Sequence, residues 1–237
     1  MRWDRQPGKR ALKLASTEVQ PLIADNMPLI KSLERIKRQK GWYQLTLAGG
    51  ASFPVNDELI LKYRLKEGES PLPSTIKTVR EEGEYLFLKK KAFEALSRRR
   101  LSESELKGKL KKVPKASKYI DRLTDELKKQ KLIDDLAYAQ AVIHTLQIGG
   151  SRSKKYISNK LYQKGVPKEL AEMAIDEELD DYDEGEAALK IALKKYKSVK
   201  NLPLLKAKKR VADFLRGRGF GWDNINAALD KLFRESD

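Results

Sequence analysis

Cysteine is absent from the 237 residues, and histidine occurs once, at His144. Disulfides, thiolate metal sites, cysteine nucleophiles and multi-histidine metal centres are thereby excluded. A cysteine-free chain also fits a reducing compartment. Long apolar runs are missing as well. The most apolar stretch, Leu136 to Ile148, is interrupted by Gln140, His144 and Gln147, and it falls short of the roughly 18 residues of a spanning helix. The beginning, Met1-Arg2-Trp3-Asp4-Arg5, develops no apolar segment of the secretory kind. These absences lead to the expectation of a cytoplasmic protein without membrane contact. Nucleotide-binding loops are lacking too. No G-x-x-x-x-G-K-[ST] occurs, and Gly217-Arg218-Gly219-Phe220-Gly221 has neither the G-x-G-x-x-G spacing nor a preceding strand. No cofactor is expected.

What the chain has is positive charge. Its formal net charge is +16, with 35% charged and 40% hydrophobic residues, so cores can form beneath long solvated helix faces. The charge is uneven: residues 86–170 hold 22 basic and 9 acidic groups, whereas residues 171–237 hold 13 and 14. From Glu172 to Glu186 there is no Lys or Arg. Two basic blocks thus flank an acidic divider, which reads as a solvated helix end and linker, because like-signed helical neighbours repel. Clustered cations mark a polyanion-binding face, since neutralised phosphates release condensed counterions. The candidates are Arg98, Arg99, Arg100, Lys107, Lys109, Lys111 and Lys112, then Arg152, Lys154, Lys155, Lys160 and Lys164, then Lys206, Lys208, Lys209, Arg210, Arg216 and Arg218. For the aromatic residues Trp42, Tyr43 and Tyr156, core packing is the default over base stacking.

The pattern predicts a mainly α protein: tandem three-helix repeats in an elongated curved array, preceded by a small β-hairpin and helix. Residues 1–28 read as a low-order basic tail. Over residues 29–85, Tyr43, Leu45 and Leu47 alternate with polar neighbours, Gly49-Gly50 offers a turn, and Phe53 and Val55 resume the alternation. Asn56 or Asp57 caps a short helix that Gly68 and Pro71 close. After Pro73, Ser74 caps a long helix towards Leu96, with Gly83 a weak point. Everything beyond is helical, with a capping box at Ser102 to Glu105 and a helix stripe of Ile120, Leu123 and Leu127.

Self-similarity organises this half. Leu161-Tyr162-Gln163-Lys164-Gly165-Val166 lies 54 residues before Leu215-Arg216-Gly217-Arg218-Gly219-Phe220, and Ala174-Ile175 falls on Ala228-Leu229 at the same spacing. Leu110 precedes Leu161 by 51, with Pro114 near where a glycine would stand. Three repeats follow, at 86–135, 136–185 and 186–237. In each, a basic middle helix stops at a left-handed glycine with an apolar residue packing back, and units of this size stack on their neighbours.

Catalytic chemistry is sparse. His144 lies beside Val142, Ile143 and Leu146 and has no orienting partner, so a packed or surface role is expected. Asp134-Asp135 is the best acidic pair for a metal-dependent nuclease, yet adjacent carboxylates suit a helix cap better.

The turn Leu132-Ile133-Asp134-Asp135-Leu136-Ala137-Tyr138-Ala139 resembles the leucine, acidic pair and aromatic-alanine signature of the RecX family of regulatory proteins. Ser102 to Leu110, Lys160 to Val166 and Phe214 to Phe220 are similar to its three repeat cores, in order, and the hairpin with Lys62 to Gly68 is similar to its N-terminal extension. The resemblance covers roughly residues 30 to 235. Two positions depart from it: Val113-Pro114 replaces the lysine-glycine-apolar step of the first repeat, and Gly149-Gly150-Ser151 precedes the second basic helix. The resemblance implies a non-catalytic modulator of the bacterial recombinase RecA. It would be a monomer when free, lying along the groove of the RecA filament on single-stranded DNA, with double-stranded DNA as the alternative strand form. It would inhibit recombinase, ATPase and co-protease activity in DNA repair and the SOS response. Asp134, Asp135, Tyr138, Gly165 and Gly219 are its structural signature here. A RecA-independent nucleic-acid-binding module and, at a distance, a nuclease are the competing readings.

Overall fold

The computed structural model describes residues 27–148 and 150–234. The expected tail lies outside them except for its last two positions. The described residues divide into two compact units, one ending at Gly83 and one beginning at Glu84.

The first unit holds an antiparallel sheet of β1 (Ile30–Arg35), β2 (Trp42–Leu47) and β3 (Ser52–Asn56), in that order. The expected hairpin is β2 and β3, with Leu45 opposite Phe53 and Gly50 at φ 82° in the turn. The sheet has one strand more than expected. β1 carries Lys31, Glu34 and Arg35, and only Ile30 in it is buried. Charge along an outer strand discourages edge-to-edge pairing, and it also erases the alternation by which a strand is recognised. Trp42 is buried, as the default reading had it, whereas Tyr43 is partly exposed beneath the Arg35 guanidinium.

Helix α1 (Asp57–Tyr63) begins at Asn56, whose side chain accepts from the Leu59 amide. It stops at Arg64 in the left-handed region, ahead of the expected Gly68. Helix α2 (Pro73–Leu96) starts with Pro73 itself, so Ser74 lies inside it and is not its cap. A proline in the first turn surrenders only an amide that has no helical partner. Helix α2 runs unbroken through Gly83. A Cβ there would lie 2.1 Å from the Pro54 carbonyl oxygen, so the missing side chain is what lets β3 and α2 touch.

The second unit is entirely helical. Its elements after α2 are α3 (Glu103–Leu110), α4 (Ser117–Lys129), α5 (Asp135–Ile148), α6 (Lys154–Gln163), α7 (Lys168–Glu178), α8 (Glu184–Tyr196), α9 (Leu204–Arg216) and α10 (Trp222–Arg234). Three apolar cores recur along the chain. The first joins Leu88 and Ala92 of α2 to Leu106, Leu110, Ile120, Leu123 and Leu127. The second is built on Ile143, Ile157, Leu161 and Ala174 of α5, α6 and α7. The third is built on Ala188, Val211, Leu215 and Ala228 of α8, α9 and α10. Three-helix units in tandem are therefore the architecture.

The stops of α6 and α9 follow one pattern. Gly165 and Gly219 take φ of 73° and 87°, and the amides of Val166 and Phe220 donate to the carbonyls of Leu161 and Leu215. This is the six-to-one bond of a Schellman stop, with the apolar residue folded back into the core. In the first repeat, where Pro114 stands, the left-handed position falls on Lys115.

Candidate polyanion-binding site

The middle helices α3 and α6 are capped by Ser102 and Ser153, whose hydroxyls accept from the amides three residues on. Each hydroxyl also donates forward to the next repeat. Ser102 Oγ reaches the Lys164 carbonyl at 2.6 Å, and Ser153 Oγ reaches the Gly219 carbonyl at 2.7 Å. One serine thus ties a helix start to the glycine turn of its neighbour, and both serines are buried.

The acidic pairs complete these junctions. Asp134 and Asp183 cap their own helices, accepting from the amides of Ala137 and Glu186. The next residues point elsewhere. Asp135 Oδ1 accepts from the Glu103 amide at 2.8 Å and Glu184 Oε1 from the Lys154 amide at 2.6 Å. Each places negative charge at the positive end of the previous repeat's middle helix. The signature pair is therefore one local cap and one staple between repeats, and the expectation that both acids cap their own helix is corrected for Asp135. Burial, the largest influence on it, pushes the Asp135 pKa up despite the Glu103 amide. Asp183 and Glu184 also show that the acidic divider is more than a solvated linker. Because Asp134 and Asp135 are aimed at separate amides, they form no paired carboxylate cage.

Glu105 does not reach back to its cap as a capping box requires. Its carboxylate pairs with Arg99 at 2.8 Å and Lys164 at 3.5 Å, and it accepts from the Tyr138 hydroxyl at 3.0 Å. Buried Tyr138 thereby acquires a structural role in the same junction.

The candidate cations divide into two sets. Lys107 is held by Glu103 at 2.9 Å and Asp121 at 2.8 Å, Arg99 and Lys164 by Glu105, and Arg216 by Asp213 at 3.1 Å. Among the described residues, Arg98, Arg100, Lys109, Lys111, Lys112, Arg152, Lys154, Lys155, Lys160, Lys206, Lys208, Lys209, Arg210 and Arg218 have no carboxylate in ion-pair range. Arg98, Arg99 and Arg100 lie in an exposed turn after α2, not on a middle helix. There Arg98, Arg99 and Lys109 line one small groove with Lys91 and Glu94. A second groove, of about 530 Å³, brings Lys155, Tyr156 and Asn159 of α6 to Arg216 of α9, with Glu184 and Asp223 also lining it. At the repeat spacing, Arg152, Lys154, Lys155 and Lys164 recur as Lys206, Lys208, Lys209 and Arg218.

One candidate escaped the sequence reading. Tyr162 is 79% exposed on α6. Ile157 and Leu161 mark the buried stripe of that helix, and Tyr162 lies off it, two turns beyond Lys155 on the exposed side. That offset was the available signal. Tyr156 is partly buried between Arg152 and Lys160, whose charged groups lie 5.1 and 5.6 Å from its ring centre. His144 is exposed on α5. No helix among the described residues is long and apolar enough to cross a membrane.

Comparison with known proteins agrees with this geometry. Residues 134–175 match the second three-helix domain of RecX, and residues 181–229 match the third. Regulatory protein RecX of Clostridium acetobutylicum is 28% identical over 215 residues, which span 88% of this chain and 98% of that protein. The same-named protein of Streptococcus pneumoniae is 26% identical over 208 residues, 86% of this chain and 78% of that one. A crystal structure of a regulatory protein RecX superposes with a TM-score of 0.56 at 25% identity, covering 88% of this chain and all of that one. The RecX structure from Lactobacillus salivarius shares the fold, with a TM-score of 0.53 at 22% identity over 63% of this chain and 96% of that one. In its second and third repeats, with their serine cap at Ser153 and acidic pairs at Asp134-Asp135 and Asp183-Glu184, and in its fold, the chain is thus similar to regulatory proteins RecX.

Proposed function

We propose that this chain is a non-catalytic regulator that binds the RecA filament on single-stranded DNA through the exposed cations of its second and third repeats, and lowers the filament's ATPase, strand-exchange and co-protease activity. It acts as a monomer in the cytoplasm, in DNA repair and the SOS response. The observation that carries the reading is the division of the cations. Among the described residues, Lys154, Lys155 and Lys160 of α6 and Lys206, Lys208, Lys209 and Arg210 of α9 have no carboxylate in ion-pair range, whereas α3 carries Lys107, held on both sides, and a single unpaired cation, Lys109. Cations without internal partners at repeated positions suit a partner that is itself a repeating polyanion. Tyr162, exposed on the same side of α6 as Lys155, offers a surface on which an unpaired base can stack.

Binding that is tighter to one filament state than another shifts the population of states, which is sufficient for regulation without chemistry. Cosedimentation with RecA assembled on single-stranded DNA tests the reading. Wild-type protein is expected in the pellet, with Lys154→Glu, Lys155→Glu, Lys160→Glu protein left in the supernatant. Equal retention of both would refute the role given to α6. The second reading, a nucleic-acid-binding module independent of RecA, rests on the same cations and requires pelleting with DNA alone at equal affinity.

A further inference from the structure

The two repeat junctions in the second unit are built alike but are electrostatically unequal. Ser102 and Ser153 correspond as caps, so Glu105 and Tyr156, each three residues later, occupy the same place. Lys164 and Arg218 likewise correspond, each preceding a left-handed glycine. In the first junction Glu105 gathers Arg99, Lys164 and the Tyr138 hydroxyl. In the second there is no acid at that place.

What gathers in the second junction is cationic. The Arg152 guanidinium lies 5.1 Å from the centre of the Tyr156 ring, and that of Arg218 lies 4.6 Å from the centre of the Phe214 ring. Arg218 Nη1 donates to the Gly150 carbonyl at 3.2 Å, and the Tyr182 hydroxyl donates to the Arg152 carbonyl at 2.9 Å. Arg152 Nε and Arg218 Nε are both buried and have no acceptor among the described residues. Burial, and next the neighbouring Arg152 charge, lower the Arg218 pKa. Two partly buried guanidinium groups whose charges oppose one another, with no carboxylate in ion-pair range among the described residues, are a costly arrangement, which an anion between them relieves.

We propose that the junction of the second and third repeats is an anion site, in which Arg152 and Arg218 take a phosphodiester group of single-stranded nucleic acid at the place that Glu105 fills in the first junction. This rests on the nucleic-acid reading above. A phosphodiester is favoured over the single carboxylate of a protein partner because the cations continue beyond the pair. Lys160 Nζ lies 5.6 Å from the centre of the same Tyr156 ring. Lys155 lines the adjoining groove, where Arg216 is held by Asp213 at 3.1 Å and the Glu184 carboxylate is engaged by the Lys154 amide and by Asn224 at 3.3 Å, leaving Asp223 as the groove's other acid. A track of cations fits a ligand that carries one charge per residue.

The test uses the whole chain, with a labelled oligo-dT strand followed by fluorescence anisotropy across salt concentrations, and with thermal melting in inorganic phosphate. Tyr156→Glu supplies the missing acid internally, and Arg218→Gln removes one cation. Wild type is expected to melt higher in phosphate, and both variants to lose that response. Both variants should bind the strand about tenfold more weakly, with a salt slope shallower by about 0.7 for each lost contact. Tyr156→Glu should melt no lower than wild type without phosphate, and should it fail to fold, Arg218→Gln decides alone. Strand affinity and salt slope unchanged in both variants, with wild type binding well, would overturn the site and leave the nucleic-acid reading standing. A phosphate response without any strand binding by wild type would overturn the phosphodiester assignment, and the nucleic-acid reading with it, in favour of an acidic protein group.

Discussion

Asp134 and Asp135 are neighbours with different tasks. Asp134 Oδ1 meets an amide three residues ahead, and Asp135 Oδ1 meets one 32 residues behind. Removing the staple with Asp135→Ala should lower unfolding stability by about 1 kcal/mol, the scale of a lost helix cap. Asp135→Asn keeps an acceptor oxygen and sheds a buried charge, so it should be close to neutral in the same chemical-denaturation experiment. Gly219→Ala is expected to cost more. A Cβ there would lie 2.6 Å from the Tyr156 Cβ and 2.7 Å from Ser153 Oγ, on a residue already at φ 87°. Left-handed strain alone is about 1–2 kcal/mol, and the clash adds to it, so a clearly lowered melting temperature should result. The sequence revealed that these residues matter and what half of them do. A cap is written in adjacent residues and can be read; a staple to an amide in another repeat is set by the fold and leaves no local pattern.

At the scale of elements, the helices were legible because their apolar positions recur, as Ile120, Leu123 and Leu127 do on α4. The glycine stops at Gly165 and Gly219 were legible for the same reason, since the sequence shows the same stop motif twice at one spacing. β1 was not, because an outer strand with one buried side chain has no alternation to detect. The capping box at Ser102 was half legible: the serine caps, but Glu105 is drawn away by Arg99, Tyr138 and Lys164, which the linear sequence places up to 59 residues off. That cluster has a pH signature. Burial pushes the Glu105 pKa up, but the hydrogen bonds from Arg99 and Tyr138 and the nearby Lys164 charge outweigh it and hold the carboxyl below its ordinary 4.5. A lowered acid stabilises the fold above its unfolded value and loses that contribution as pH falls through the folded one. The first junction should therefore loosen below pH 4.5. Glu105→Gln should narrow the stability difference between pH 7 and pH 4, measured by urea unfolding. An unchanged difference would place the acid sensitivity elsewhere, for instance at Glu103, which the Lys128 hydrogen bond also holds low.

For the whole molecule, the net charge of +16 was plain from the sequence, but which cations are free was not. Glu103 stands four residues before Lys107 in the chain, an i,i+4 pairing that the sequence shows, but only the fold adds Asp121 to it and leaves Lys155 facing a groove. With about six phosphates neutralised on a single strand, log K should fall with log salt at a slope near −4. Charge reversal at Lys111 and Lys112, outside the α6 and α9 clusters, should change that slope less than reversal at Lys154 and Lys155.

The most direct test is single-stranded-DNA-dependent ATP hydrolysis by the cognate RecA, titrated with wild-type protein and with the Lys154→Glu, Lys155→Glu, Lys160→Glu variant. Wild type should suppress hydrolysis at less than one molecule per RecA protomer, and the variant should leave it near the uninhibited rate. Hydrolysis untouched by saturating wild-type protein would contradict the account.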